Sequence, residues 1–504
     1  MSTPQDVPTH GFRHDPMGWA LSDEAPEAAI VRKQVLRRPA EGDEQVLSDA
    51  IGALLAGQNS DGGFGEEGKE TAGALLKMLD LGVASSAREL RAAGEALGRR
   101  VAAGATSTCA GDEATELPMA IGDARALCGI GETAAPELHA TLRWHADNVD
   151  LWINRGCPWG QAATITALAA GRGVLDIEDG LREALTWASE AVNGAGCISY
   201  FDPWSFVEIA ATTDHPLAGA MLRKQLTLIL RTQSPDGGWT MPDWWPTSQN
   251  STVVFRALSR HGLLDVLRGL PPLPPGYKIG RTVATPAGDL WGLAWDGQAW
   301  WTCDEATNTA ISFSGADGAV LRTVELPQGA GRGLGCWDGA PTLAQGSPWE
   351  KDPKRIVRVD PRTGACLAEM SLDCLNHAGG VAAVDGHVWV ADSFFGRLFC
   401  FDGDGEVVRE HVSLAGPLPV GLAADGDTLW HDDLWVPFFI RTGLDDGGQF
   451  VDCIEKPFRE PFAPKPYGGV TRGMGHNDEG LWVIDREHGR IIQVGSAAPD
   501  GVAA

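Results

Sequence analysis

Gln233-Ser234-Pro235-Asp236-Gly237-Gly238-Trp239 recurs near the start of the chain as Gln58-Asn59-Ser60-Asp61-Gly62-Gly63-Phe64, with Gln, Gly and aromatic at the same spacing. Each copy lies between two runs of helical periodicity, so each joins the helices of a hairpin. Asp236 can bond its own backbone and Gly237 can take positive φ without steric cost, which makes a tight turn. Trp239 is expected to lie flat across the start of the following helix, with the Gln233 amide bonded back to the turn.

Outward from these turns the pattern stays helical. Val46, Ile51, Leu54 and Leu55 precede the first turn, and Ala72, Leu75, Leu76 and Leu79 follow it before Gly82. Three further hairpins fit the template with poorer turns: Glu89 through Gly111-Asp112-Glu113 to Cys128, Leu138 through Cys157-Pro158-Trp159-Gly160 to Ala170, and Leu181 through Asp202-Pro203-Trp204 to Ala211. The last runs from Leu217 through Trp239 to Leu264, which makes five hairpins in an array.

At Gln58 to Phe64 and Gln233 to Trp239 the chain resembles the QW motif of the squalene-cyclase and prenyltransferase superfamily. The resemblance implies an α/α toroid of helical hairpins around a cavity. It does not extend to that superfamily's chemistry. No Asp-x-Asp-Asp acid motif of the triterpene cyclases occurs, and the helical part has no Asp-x-Cys of the zinc-dependent prenyltransferases.

Leu270-Pro271-Pro272-Leu273-Pro274-Pro275-Gly276 ends the helical pattern, because consecutive prolines neither continue a helix nor sit inside a sheet. Beyond it a second repeat begins. Gly292 leads to Trp301 and Asp304, Gly380 to Trp389 and Asp392, Gly421 to Trp430 and Asp433, and Gly473 to Trp482 and Asp485, always nine and twelve residues on. A weaker unit places Gln345 twelve residues after Gly333. Each unit reads as strand, turn, strand and a further strand. The unit Gly380 to Asp392 resembles an NHL or streptogramin-lyase-type blade, which implies a five-bladed β-propeller. Lys278 to Ala284 has strand character and is expected to complete the last blade, since a propeller left open would expose an edge.

The fold expected is therefore multidomain α and β. It comprises an N-terminal arm (1–40), an α/α toroid (41–266), a Pro-rich linker (267–277), a β-propeller (278–496) and a tail (497–504). At 504 residues two cores are the ordinary expectation. The net charge of -27 opposes binding to nucleic acid or an anionic membrane. Ten scattered cysteines without a C-x-x-C pair fit reduced, buried thiols. With a polar start at Met1 to Arg13 and no long apolar run, a cytoplasmic location without membrane insertion is expected.

Candidate chemistry falls in three places. Cys157, Asp202 and Asp243 stand beside Trp159, Trp204, Trp244 and Trp245 where second helices begin, which in a toroid is the cavity mouth. The bland reading of Asp202-Pro203 is an N-cap with Pro in the first turn. Asp236, Cys197 and His145 join them as an acid raised by apolar neighbours, a nucleophile or metal ligands. In the propeller Trp291, Arg332, Gly379, Val420 and Arg472 precede the inner strands, with Asn376 and His377 nearby, and Arg332, His377 and Arg472 would hold an anion in the channel.

The streptogramin-lyase resemblance implies metal-assisted elimination, but its His–Glu–His set has no counterpart. Glutaminyl cyclotransferases share the five-bladed form, and their Glu-Gly-Leu stands here as Arg332-Gly333-Leu334. Asp304, Asp392, Asp433 and Asp485 read as turn-fixing acids, with a calcium ring as the alternative, so a divalent metal is the one cofactor left open. Two functions fit: an enzyme of cyclase or lyase type on a hydrophobic, isoprenoid-like molecule in the toroid, capped or extended by the propeller, or a non-catalytic scaffold with a protein partner on a propeller face. A propeller-centred, metal-assisted lyase is the third.

Overall fold

The structure is a computed structural model and describes residues 8–68, 70–103, 119–153, 158–198, 203–239, 247–326, 331, 333–345, 354–372, 374–375, 378–392, 396–414, 419–433, 436–445, 447–457 and 471–497. The chain divides into two compact units, residues 1–192 with 203–273, and residues 193–202 with 274–504.

The first unit is helical. The Gln-Gly-aromatic turns join Asp43–Leu55 to Thr71–Asp80 and Pro216–Arg231 to Thr247–Arg260. Between them lie Arg88–Ala102, Ile121–Ile130, Pro136–Asp147, Val149–Ile153, Pro158–Gly171, Glu178–Ala191 and Pro203–Thr212. Hairpin second helices pack on one another in succession. Thr71–Asp80 touches Ile121–Ile130, which touches Pro158–Gly171, then Pro203–Thr212, then Thr247–Arg260.

The stretch read as an arm also contributes helices, at Pro16–Ser22, Pro26–Ile30 and a π turn at Val31–Val35. Thr247–Arg260 packs on Pro26–Ile30, and Glu27 meets Lys77 of Thr71–Asp80 at 2.9 Å. The arm is held by a buried charge. Arg32 pairs with Asp43 and donates to the carbonyls of Ala20 and Asp23 at 2.7 and 2.8 Å. The Arg32 guanidinium holds the Asp43 carboxyl below its ordinary pKa.

The turns behave largely as their residue types require. Gln58 and Gln233 donate through Nε2 to the carbonyls of Gly62 and Gly237, at 2.9 and 3.0 Å. Asp61 and Asp236 accept the amides of Gly63 and Gly238. Trp239 bridges the two helices of its hairpin, its backbone N–H donating to Ser251 Oγ of the second at 2.8 Å. Its ring stands at 87° to Phe255 of the following helix, and Nε1 donates back to Ile229 O of the preceding helix at 2.7 Å. A buried indole N–H needs an acceptor, and that need sets the ring's direction.

The second unit is a five-bladed β-propeller. Its inner strands are Leu290–Trp295, Gly333–Trp337, Ala378–Val384, Pro419–Asp425 and Thr471–Asn477, each at one edge of a four-stranded antiparallel sheet. Each inner strand contacts the next, and the last contacts the first. Tyr277–Ala284 pairs with Arg490–Ser496 and supplies the fourth strand of the last blade, as the sequence predicts. Trp300, Trp301, Trp389 and Trp482 are wholly buried between strands. Among the described residues, no helix is long and apolar enough to cross a membrane.

Candidate functional site

The blade repeat carries its own side-chain grammar. Trp301 Nε1 donates to Asp296 at 2.7 Å, Trp430 Nε1 to Asp425 at 3.2 Å and Trp482 Nε1 to Asn477 at 3.0 Å. In each case the acceptor sits at the end of the inner strand or in the turn just after it, five residues before the Trp. Arginine from a strand farther out stacks over two of these rings, Arg441 on Trp430 at 5.3 Å and Arg281 on Trp482 at 5.2 Å.

In the fourth blade this arrangement opens onto a crevice of about 310 Å³ against the closing blade. Asp425 Oδ2 accepts from Arg441 Nη1 at 3.2 Å, and His476 Nε2 of the closing blade lies 3.6 Å from Asp425 Oδ1. Burial pushes the His476 imidazole below its ordinary pKa and Arg441 adds to this, whereas Asp425 and Asp478 oppose. Lys278, Glu479 and Gln493 complete the polar wall, and Ile454, Leu481 and Val494 the apolar one. An uncharged imidazole beside a carboxylate can donate to or accept from a bound molecule.

Two of the blade-end aspartates, Asp304 and Asp485, bond residues of the turns that follow them. Asp304 accepts the amides of Asp289 and Ala306 at 3.2 and 3.0 Å and the Thr307 hydroxyl at 2.8 Å. Asp485 accepts Arg490 Nε at 2.6 Å and lies 3.0 Å from His488 Nδ1. Asp392 and Asp433 are buried. Among the described residues no three His, Cys, Asp or Glu side chains come together to hold a metal. Beside Asp433, Lys456 is buried with Asp432 as an ion pair and donates to the Asp433 carbonyl. Glu455 accepts the Gly276 amide at 2.6 Å.

No protein-family model matches the chain, and no curated protein matches it in sequence. Solved structures are similar to part of the chain. Glutaminyl cyclase of Myxococcus xanthus is 12% identical over 44% of this chain and 100% of its own, with a TM-score of 0.36. Virginiamycin B lyase of Staphylococcus aureus is 15% identical over 42% of this chain and 67% of its own, with a TM-score of 0.28. At such values neither activity transfers, and the strand order stands as the evidence for the propeller.

Of the candidates at the second-helix starts, Cys157, Asp202, Asp243, Trp244 and Trp245 lie outside the described residues, as do Arg332, Asn376 and His377 in the propeller. Trp159 and Trp204 fall in helices Pro158–Gly171 and Pro203–Thr212, and Arg472 in strand Thr471–Asn477, with side chains outside the description. Asp236 is spent on its own turn. His145 is buried in helix Pro136–Asp147, its Nδ1 2.9 Å from Thr141 O and its ring against Trp144 and Trp152. Burial lowers its pKa, opposed by the bond to Thr141. The Cys197 thiol is wholly buried, and burial raises its pKa well above the ordinary value, which disfavours the thiolate.

The sequence reading missed Lys278, Asp425, Arg441 and His476. One signal was available: Asp or Asn five residues before the blade Trp marks Asp296, Asp425 and Asn477.

Proposed function

We propose that the helical unit is an α/α toroid and that the protein is an enzyme of cyclase or lyase type acting on an apolar small molecule held among its inner helices. The observation that carries this reading is the succession of second helices, each packed on the next, with Thr247–Arg260 returning to Pro26–Ile30. Pro26–Val35 then serves as a sixth inner helix, beyond the five hairpins of the sequence. The helix Pro158–Gly171 supports it, since Ala162, Ile165, Ala167 and Leu168 are buried together with Gln161, Thr164 and Thr166. A helix buried all round belongs to an inner layer. A cytoplasmic location belongs to the same reading.

The second reading is a non-catalytic binding protein. It is favoured by Val320, Leu321, Leu367, Val407 and Val408, all exposed on outer strands of the blades, where a protein partner would bury them. Native mass spectrometry with elemental analysis of the gently purified full chain separates the two. An apolar small molecule at one per chain, released on unfolding and consumed or rearranged on prolonged incubation, is the result expected. A bare chain that turns over none of a panel of isoprenoid and other apolar substrates overturns the enzyme reading.

A further inference from the structure

Charges around the propeller crevice are unequally committed. Asp425 is occupied by Arg441 and Trp430, and Glu479 by Arg281 at 2.9 Å. Gln493 accepts the Arg281 amide at 3.2 Å and donates to the Glu479 carbonyl. The acceptors on the wall are therefore in use. Donors are not. Among the described residues the exposed Lys278 enters no ion pair. His476 Nε2 stands 3.6 Å from Asp425 Oδ1, beyond hydrogen-bond distance.

The rest of the lining is apolar, with Trp430, Ile454, Leu481 and Val494 each 2–4% exposed. The space itself is made by glycine. A Cβ built on Gly495 meets nothing within 4 Å, and one on Gly480 only Gln493 Nε2 at 3.9 Å. A cavity of about 310 Å³ is at the small end of the range that ligands fill.

We propose that this crevice between the fourth and closing blades binds a small carboxylic acid, its carboxylate taken by Lys278 and His476 and its apolar body laid against Ile454, Leu481 and Val494. A carboxylate supplies acceptors to donors that lack them, which is where binding gains most. An ammonium ligand would meet carboxylates already paired, and displacing those pairs would offset its own gain. This inference is independent of any ligand in the helical unit.

The test is calorimetric titration of the full chain with hexanoate, phenylacetate and benzoate, and with the amides of the same acids, at fixed ionic strength. At least one acid should bind saturably, one per chain, and at least tenfold more tightly than its amide. Lys278→Gln should weaken that binding about tenfold while leaving the melting temperature unchanged. Gly495→Leu, which projects into the empty space, should abolish it. Lys278 is exposed, so its variant keeps the test decisive even if Gly495→Leu unfolds the blade. Equal binding of acid and amide, no saturable binding by any of the three acids, or binding indifferent to Lys278→Gln overturns the proposal.

Discussion

Two glycines of the helical unit differ in what they permit. Gly237 has φ of +92°, and a Cβ there would stand 2.1 Å from the Asp15 carbonyl oxygen. Gly52 sits exposed within helix Asp43–Leu55, and its Cβ would meet nothing within 4 Å. Alanine at the two sites should therefore act in opposite directions. Gly237→Ala combines a left-handed backbone with a collision and should cost more than about 2 kcal/mol. Gly52→Ala removes only helix-opposing entropy and should stabilise by roughly 0.5–1 kcal/mol. Thermal unfolding followed by helical circular dichroism reads both. Similar shifts of the same sign would mean that the turn does not constrain the hairpin.

The closing strand Tyr277–Ala284 holds the propeller shut, and its two faces carry different weight. Val283 is 3% exposed and packs with Leu290, Leu293, Trp300 and Trp482, whereas Ile279 is 46% exposed on the same strand. Val283→Asp should cost roughly 3 kcal/mol or more by burying an unpaired carboxylate, and Ile279→Asp about 0.5 kcal/mol or less. Urea unfolding monitored through the adjacent tryptophans measures the contrast, and equal losses would place the strand elsewhere. This closure was legible because a strand pattern preceded the first blade and an edge needed covering. The third helical turn was not. At Asn193 to Cys197 the backbone repeats the bonds of the other two, Asn193 N to Cys197 O at 2.8 Å and Gly196 N to Asn193 O at 2.9 Å, with Gly196 at φ +81°. Val192 and Ile198 replace Gln and the aromatic, so the hairpin's turn reads in sequence as Asp202-Pro203-Trp204. Helix Pro26–Ile30 and its π turn escaped because Arg32 is buried where periodicity asks for an apolar residue, its charge answered by Asp43 and two carbonyls. The crevice escaped for a different reason. Asp425 and Arg441 share the fourth blade and His476 lies in the next, but Lys278 joins them only because Tyr277–Ala284 closes the last blade from the far end of the propeller sequence.

Across the whole molecule, acidification has opposing effects. A chain of net charge -27 is relieved of self-repulsion as its carboxylates protonate. His431 works the other way. It is wholly buried between strands, with Nδ1 3.4 Å from the Ser413 hydroxyl and Lys456 nearby, and burial with that cation holds its pKa down to about 3. In the unfolded chain it takes a proton near 6.5. Between these values the unfolded state binds the additional proton, so the stability His431 confers is complete above pH 6.5 and is lost as pH falls toward 3, at up to about 1.4 kcal/mol per pH unit. Asp432, raised by burial against Lys456, contributes with the opposite sign and stays in both proteins of the comparison. Comparing the parent with His431→Leu therefore isolates the histidine. The propeller's unfolding free energy in the variant should gain roughly 2–3 kcal/mol on the parent between pH 7 and pH 4.5. A difference that stays constant over that interval would mean that His431 takes up its proton in the folded blade, and that the fourth blade is open to water where the structure closes it.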